Sequence, residues 1–164
     1  MRMPRRNVLL VVALAGVAAG LAYFISGLVY VPDVTRFEAT GELRKTEYSV
    51  GESIWIEPFL TYTGSRRVTI YSARPLLFVD VHSAENVRTV TGMVDNVKQF
   101  HTLEPNVPYN EKDRWPPATS YSMAYRFSLE QAGRYKVVVR ADFGLDEHPS
   151  LHVYSEPIWV EVIG

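Results

Sequence analysis

The chain has no cysteine. Disulfides, thiolate catalysis and cysteine-ligated zinc are therefore excluded, and any domain must be held by its core alone. No Asn-x-Ser/Thr sequon occurs, so nothing marks the chain for N-glycosylation. No acidic residue precedes Asp33. No amphipathic helical period follows residue 31, which leaves strands as the regular structure beyond it. Gly-x-Ser-x-Gly, His-Glu-x-x-His, the P-loop and the dinucleotide fingerprint are all missing, and the carboxylates are scattered singly. The expectation is a protein without enzymatic activity and without a cofactor.

What is present is organised by one apolar run. From Val8 to Val31 there is no charged residue. As a helix this run spans roughly 36 Å, more than the roughly 30 Å hydrocarbon core of a bilayer. It is read as a single transmembrane helix, an uncleaved signal anchor, because a secretory h-region is shorter and no Ala-x-Ala site follows the run. Arg2, Arg5 and Arg6 precede it and Asp33 is the first charge after it. Positive charge stays inside, so residues 1–7 are expected in the cytoplasm and everything from about Pro32 outside, at the cell membrane. Gly16, Gly20, Tyr23 and Gly27 recur on one stripe of this helix, and the Gly16/Gly20 pair allows another helix to approach closely.

All 18 acidic residues and 14 of the 17 basic ones lie beyond the apolar run. The small acidic excess argues against nucleic acid as a partner. Residues 32–42 read as a linker and 43–164 as one extracytoplasmic domain. Strands are expected at 43–50, 53–62, 68–71, 76–81, 86–90, 94–102, 121–128, 134–143 and 153–163, separated by Gly and Pro turns. In the second of these, Ile54, Ile56, Leu60 and Tyr62 face one way and Trp55, Glu57, Phe59 and Thr61 the other. Pro58 suggests an edge strand or a bulge there. Residues 103–120, with four prolines, read as a long irregular connection. Short strands at this spacing predict an all-β, antiparallel β-sandwich.

The segment Leu129-Glu130-Gln131-Ala132-Gly133-Arg134-Tyr135-Lys136-Val137 resembles the corner before strand F of immunoglobulin-like domains. The run Tyr48-Ser49-Val50-Gly51-Glu52-Ser53-Ile54, closed later by Thr63-Gly64, resembles the opening of bacterial and archaeal Ig-like surface domains, the BsuPI type among them. The resemblance covers about residues 43–163 and implies an Ig-like sandwich. It also implies that the Tyr135 hydroxyl bonds the backbone of its corner. The core Cys pair of antibody domains is absent, and Trp55 lies in the second strand rather than the third.

The partner-binding candidates are aromatic: Trp55 and Phe59 on one face of a strand, Tyr109 and Trp115 in the proline-rich connection. Two histidines, His148 and His152, cluster with Asp142, Asp146 and Glu147, the weak metal candidates of the chain. The expected function is an anchored interaction or accessory subunit of a cell-envelope assembly, a membrane complex or surface filament. Its partners would be membrane lipid and other membrane or envelope subunits. The alternatives are an anchored ligand or metal carrier, or a protease-inhibitor-like domain presenting the 103–120 loop.

Overall fold

The structure is a computed structural model and describes residues 33–90, 95–111, 124–145 and 150–164. Among these residues no helix is long and apolar enough to cross a membrane. The expected span 8–31, with Gly16, Gly20, Tyr23 and Gly27, lies outside them.

Residues 33–164 form one compact all-β unit, β-sandwich-like in its layers. Eleven strands are described: β1 (Phe37–Leu43), β2 (Glu47–Ser49), β3 (Ile54–Tyr62), β4 (Val68–Arg74), β5 (Leu77–His82), β6 (Val87–Val90), β7 (Asp95–Leu103), β8 (Tyr125–Phe127), β9 (Gly133–Phe143), β10 (Leu151–Tyr154) and β11 (Ile158–Ile163). One sheet has the order β1-β3-β8, and a second the order β2-β11-β9-β5-β6 with β10 also on β9. A third is the two-stranded antiparallel pair β4-β7. The pairings are antiparallel except β2 with β11, which is parallel.

The alternation expected in β3 is what positions the core. Ile54, Ile56, Leu60 and Tyr62 are fully buried, while Trp55 stays exposed. Along β9, Tyr135, Val137, Val139 and Ala141 likewise point inward. Burying each such aliphatic side chain contributes about 1.5–3 kcal/mol. The two large sheets meet where Phe37 packs on Phe143, with ring centroids 4.8 Å apart.

They also meet at Gly41. A Cβ there would lie 2.8 Å from Val139 Cγ2 and 2.9 Å from Ile56 Cδ1, so the layers approach closely because β1 has no side chain at that point. Gly41→Val is expected to destabilise the domain by about 1–3 kcal/mol through overpacking, with Gly41→Ala milder. Urea midpoints of the two variants against the wild type check this.

Three expectations are corrected. Residues 37–42, read as linker, form β1 together with Leu43. Their inward positions include Ala39 and Gly41, too small to stand out as a hydrophobic alternation. The expected strand 153–163 is two strands: Ser155-Glu156-Pro157 breaks it, and β10 and β11 lie in succession along the same strand β9. The Ser155 hydroxyl oxygen accepts the Val139 N–H at 2.9 Å, while the Ser155 N–H donates to the Val139 carbonyl. The break therefore leaves no ladder group of Val139 unpaired.

The third correction concerns Pro58, which neither places β3 at an edge nor flips its alternation. β3 is central in its sheet, with β1 paired along residues 56–62. Leu60 exchanges both backbone bonds with Tyr109, so Pro58, of the same parity, turns its missing N–H to that same side. There Asn110 donates its side-chain amide to the Pro58 carbonyl at 2.9 Å. The proline sits in the gap between β8 and the 109–111 segment, where no strand asks for its N–H.

Candidate functional site

Outward-facing residues of β1, β3 and β8 form the candidate partner surface. In register they pair Thr40 with Phe59, Glu42 with Glu57, and Trp55 with Arg126. Trp55 is 39% exposed, with the Arg126 guanidinium 5.5 Å from its ring centroid. This is a cation–π distance that holds the indole without covering it. Phe59 shares the face and is half-buried. Beside Trp55 an open depression of ≈ 340 Å³ is lined by Glu42, Leu43, Arg44, Trp55, Glu57 and Ala124. Glu42 and Glu57 stand directly opposite one another across the strands, and neither is in an ion pair among the described residues. Like charges so placed cost stability.

The other two aromatic candidates are not on this face. Tyr109 is the cross-strand partner of inward-facing Leu60 and packs against the core. Trp115 lies outside the described residues. The 104–111 stretch is a polar plug along the edge of β3. Tyr109 hydroxyl and His101 Nδ1 are 2.8 Å apart, and His101 Nε2 and Ser72 Oγ are 2.9 Å apart. His101 is 1% exposed and Ser72 4%, so the trio ties β4, β7 and the plug together where a buried polar group must be paired.

Glu111 is buried as well. Its carboxylate accepts the N–H groups of Leu76 at 2.9 Å and Leu77 at 3.4 Å. The Tyr125 hydroxyl donates to the Leu77 carbonyl beside it. None of these buried partners was found from the sequence, because they are joined by register across sheets and not by spacing along the chain.

Burial, and after it the Glu111 carboxylate, pushes the Tyr125 phenol well above the ordinary tyrosine range. The folded state thus resists ionisation more than the unfolded chain does. Stability from this source is intact below about pH 10 and is lost as the pH climbs from there towards the raised folded value. Tyr125→Phe should flatten that alkaline decline while costing about 1 kcal/mol at neutral pH for the lost hydrogen bond. Urea midpoints at about pH 8 and about pH 11 would show both.

A second polar group covers the outer face of β5, β9 and β10. Arg140 donates to Asp80 at 2.9 Å and to Asp142, and lies 4.6 Å from the centroid of the Phe78 ring. Thr89 donates to Asp80 at 2.6 Å, and His152 Nδ1 meets Asp142 at 2.7 Å. Burial works against the Arg140 charge, but its bonds to the two aspartates outweigh it and hold the guanidinium above its ordinary value. His152 is thus engaged with Asp142, while His148, Asp146 and Glu147 lie outside the described residues. Among the described residues no group of three His, Cys, Asp or Glu is placed to hold a metal.

The corner implied by resemblance has its expected contact: the Tyr135 hydroxyl donates to the Gln131 carbonyl at 2.9 Å.

The fold and this surface define an all-β, β-sandwich-like domain with an exposed aromatic depression. No family model matches the chain, and no curated protein matches it in sequence. Among solved structures it is similar to the sporulation control protein Spo0M of Bacillus subtilis, 14% identical over 77% of this chain and 49% of that one, with a TM-score of 0.38. It is also similar to a β-glucosidase of Erythrobacter marinus (9% identical, 77% of this chain, 15% of that one, TM-score 0.36). A β-glucosidase of Listeria innocua is a third (14% identical, 82% and 17%, TM-score 0.33). The chain spans about half the length of Spo0M and under a fifth of each glucosidase. Likenesses of this size carry no activity or partner across.

Proposed function

We propose that the chain is a non-enzymatic, membrane-anchored interaction or accessory subunit of a cell-envelope assembly. Residues 8–31 anchor it with the N-terminus inside, and an Ig-like sandwich, supported by the Tyr135 corner, stands outside. The observation that carries this reading is the exposed Trp55 beside its depression, on a face where Glu42 and Glu57 oppose one another at a cost to the fold. A local conflict of that kind is expected where a surface serves a partner, and here the partner contact carries a basic group.

Glu42→Lys should raise stability by about 0.5 kcal/mol, since a cross-strand ion pair replaces a repulsion. The same change should weaken the assembly. A photo-cross-linking residue at position 55, in full-length protein in its native membrane, is expected to trap one stoichiometric envelope subunit. Capture should be reduced by Glu42→Lys and absent from a probe at Val87. A monomer at every probe position overturns the subunit reading.

A further inference from the structure

The loops at one end of the domain belong together by their bonds. The Thr63 N–H and hydroxyl both donate to the Arg36 carbonyl, at 2.7 and 3.0 Å. The Asn106 N–H donates to the Tyr62 carbonyl at 2.7 Å, with Asn106 itself in the left-handed region at φ 59°. Asp33 caps its own short turn by accepting the Thr35 N–H at 3.0 Å. These contacts gather the entering chain, the 63–67 turn and the 104–107 turn at the end where β3 finishes. Trp55 lies near the other end of β3, roughly 20–25 Å away.

This end presents three exposed arginines, Arg36, Arg66 and Arg67, none in an ion pair among the described residues. It also presents two exposed valines, Val34 at 39% and Val107 at 54%. Asp33 and Glu104 are the carboxylates on the same loops, fewer than the arginines. The apolar run read as the membrane helix stops at Val31, two residues before Asp33.

We propose that this end of the domain rests on the lipid surface, with Arg36, Arg66 and Arg67 against anionic phospholipid headgroups and Val34 and Val107 dipping into the interfacial layer. Two features single out lipid. The chain enters the domain two residues after a run long enough to cross a bilayer, and even with Asp33 facing the Arg36 charge the arginines of these loops outnumber the carboxylates. Arginines near an anionic leaflet each bias a domain towards the surface by about fivefold. Small exposed aliphatic side chains add apolar area at the headgroup boundary. The inference rests on the anchor reading of residues 8–31. It adds a fixed orientation, in which the Trp55 face is held away from the bilayer for its partner.

The absence of cysteine makes the test clean. Single variants Ala18→Cys, Val107→Cys and Val87→Cys of the full chain would carry a nitroxide label. They would be placed in vesicles of equal phosphatidylglycerol and phosphatidylcholine, and collisions with oxygen and with a water-soluble nickel complex would be measured. The label at 18 is expected at hydrocarbon depth, the label at 107 at headgroup depth, and the label at 87, at the start of β6, in water. Changing Arg36, Arg66 and Arg67 to Gln together, or using phosphatidylcholine alone, should move the label at 107 towards water. A label at 107 as water-exposed as the one at 87, with the label at 18 in hydrocarbon, overturns the orientation and leaves the anchor standing. If the label at 18 is in water the anchor reading falls. Headgroup contact at 107 would then still support the lipid surface, and water at 107 would overturn it.

Discussion

Replacing Glu111 with Leu is expected to cost about 3–5 kcal/mol, the largest loss among single changes outside the hydrophobic core. Leu76 and Leu77 are fully buried, and their N–H groups point at the Glu111 carboxylate. A leucine at 111 supplies the volume but no acceptor, so donors at the start of β5 are left without partner or water. Each such group costs about 1–3 kcal/mol. Glu111→Gln keeps one oxygen for the shorter of the two bonds and should lose only about 1–2 kcal/mol. The difference between the two variants isolates the acceptor from the packing. Urea unfolding followed by tryptophan fluorescence reads both, and equal midpoints for Leu and Gln would show that the carboxylate does not hold β5.

That position shows where sequence reading stops. Alternation was legible wherever the inward residues were large: Ile54, Ile56, Leu60 and Tyr62 in β3, and Tyr135, Val137 and Val139 in β9, are the core. The outward placement of Trp55 and Phe59 followed from the same period. β1 was missed because Ala39 and Gly41 sit at inward positions, and Gly41 is small for the sake of the layer facing it. Pro157 is a break signal in plain view, and it divides the run 153–163 into β10 and β11. Tyr109 looked like an aromatic on a loop. Its inward direction depends on pairing with Leu60, 49 residues back in the chain, and its hydroxyl meets His101 in the interior. Buried polar partners such as Ser72 with His101, or Glu111 with Leu76, have no local pattern. The first exists only once the register of β4 on β7 is set, the second only once the 109–111 segment lies beside the start of β5, and composition carries no trace of either.

The second large effect is at Arg140. Arg140→Met is expected to destabilise the domain by about 2–4 kcal/mol, although the change looks conservative in length and adds apolar surface. The reason is what it leaves behind. Asp80 is 8% exposed and takes its charge partner from Arg140 at 2.9 Å. Without the guanidinium only the Thr89 hydroxyl still meets that carboxylate among the described residues. Breaking a buried pair from one side costs about 3–5 kcal/mol, and the partial exposure of Arg140 lowers the figure here. The double change Arg140→Met with Asp80→Leu removes the buried pair and should recover part of the loss, since two packed apolar groups replace it and the partly exposed Asp142, which also loses Arg140, keeps its contact with His152. A double-mutant cycle in urea reads the coupling directly. Additive losses would mean that Asp80 is solvated in the folded state and that the network on β5, β9 and β10 is a surface feature. A recovered double variant makes it the polar seam that fixes how those three strands lie together.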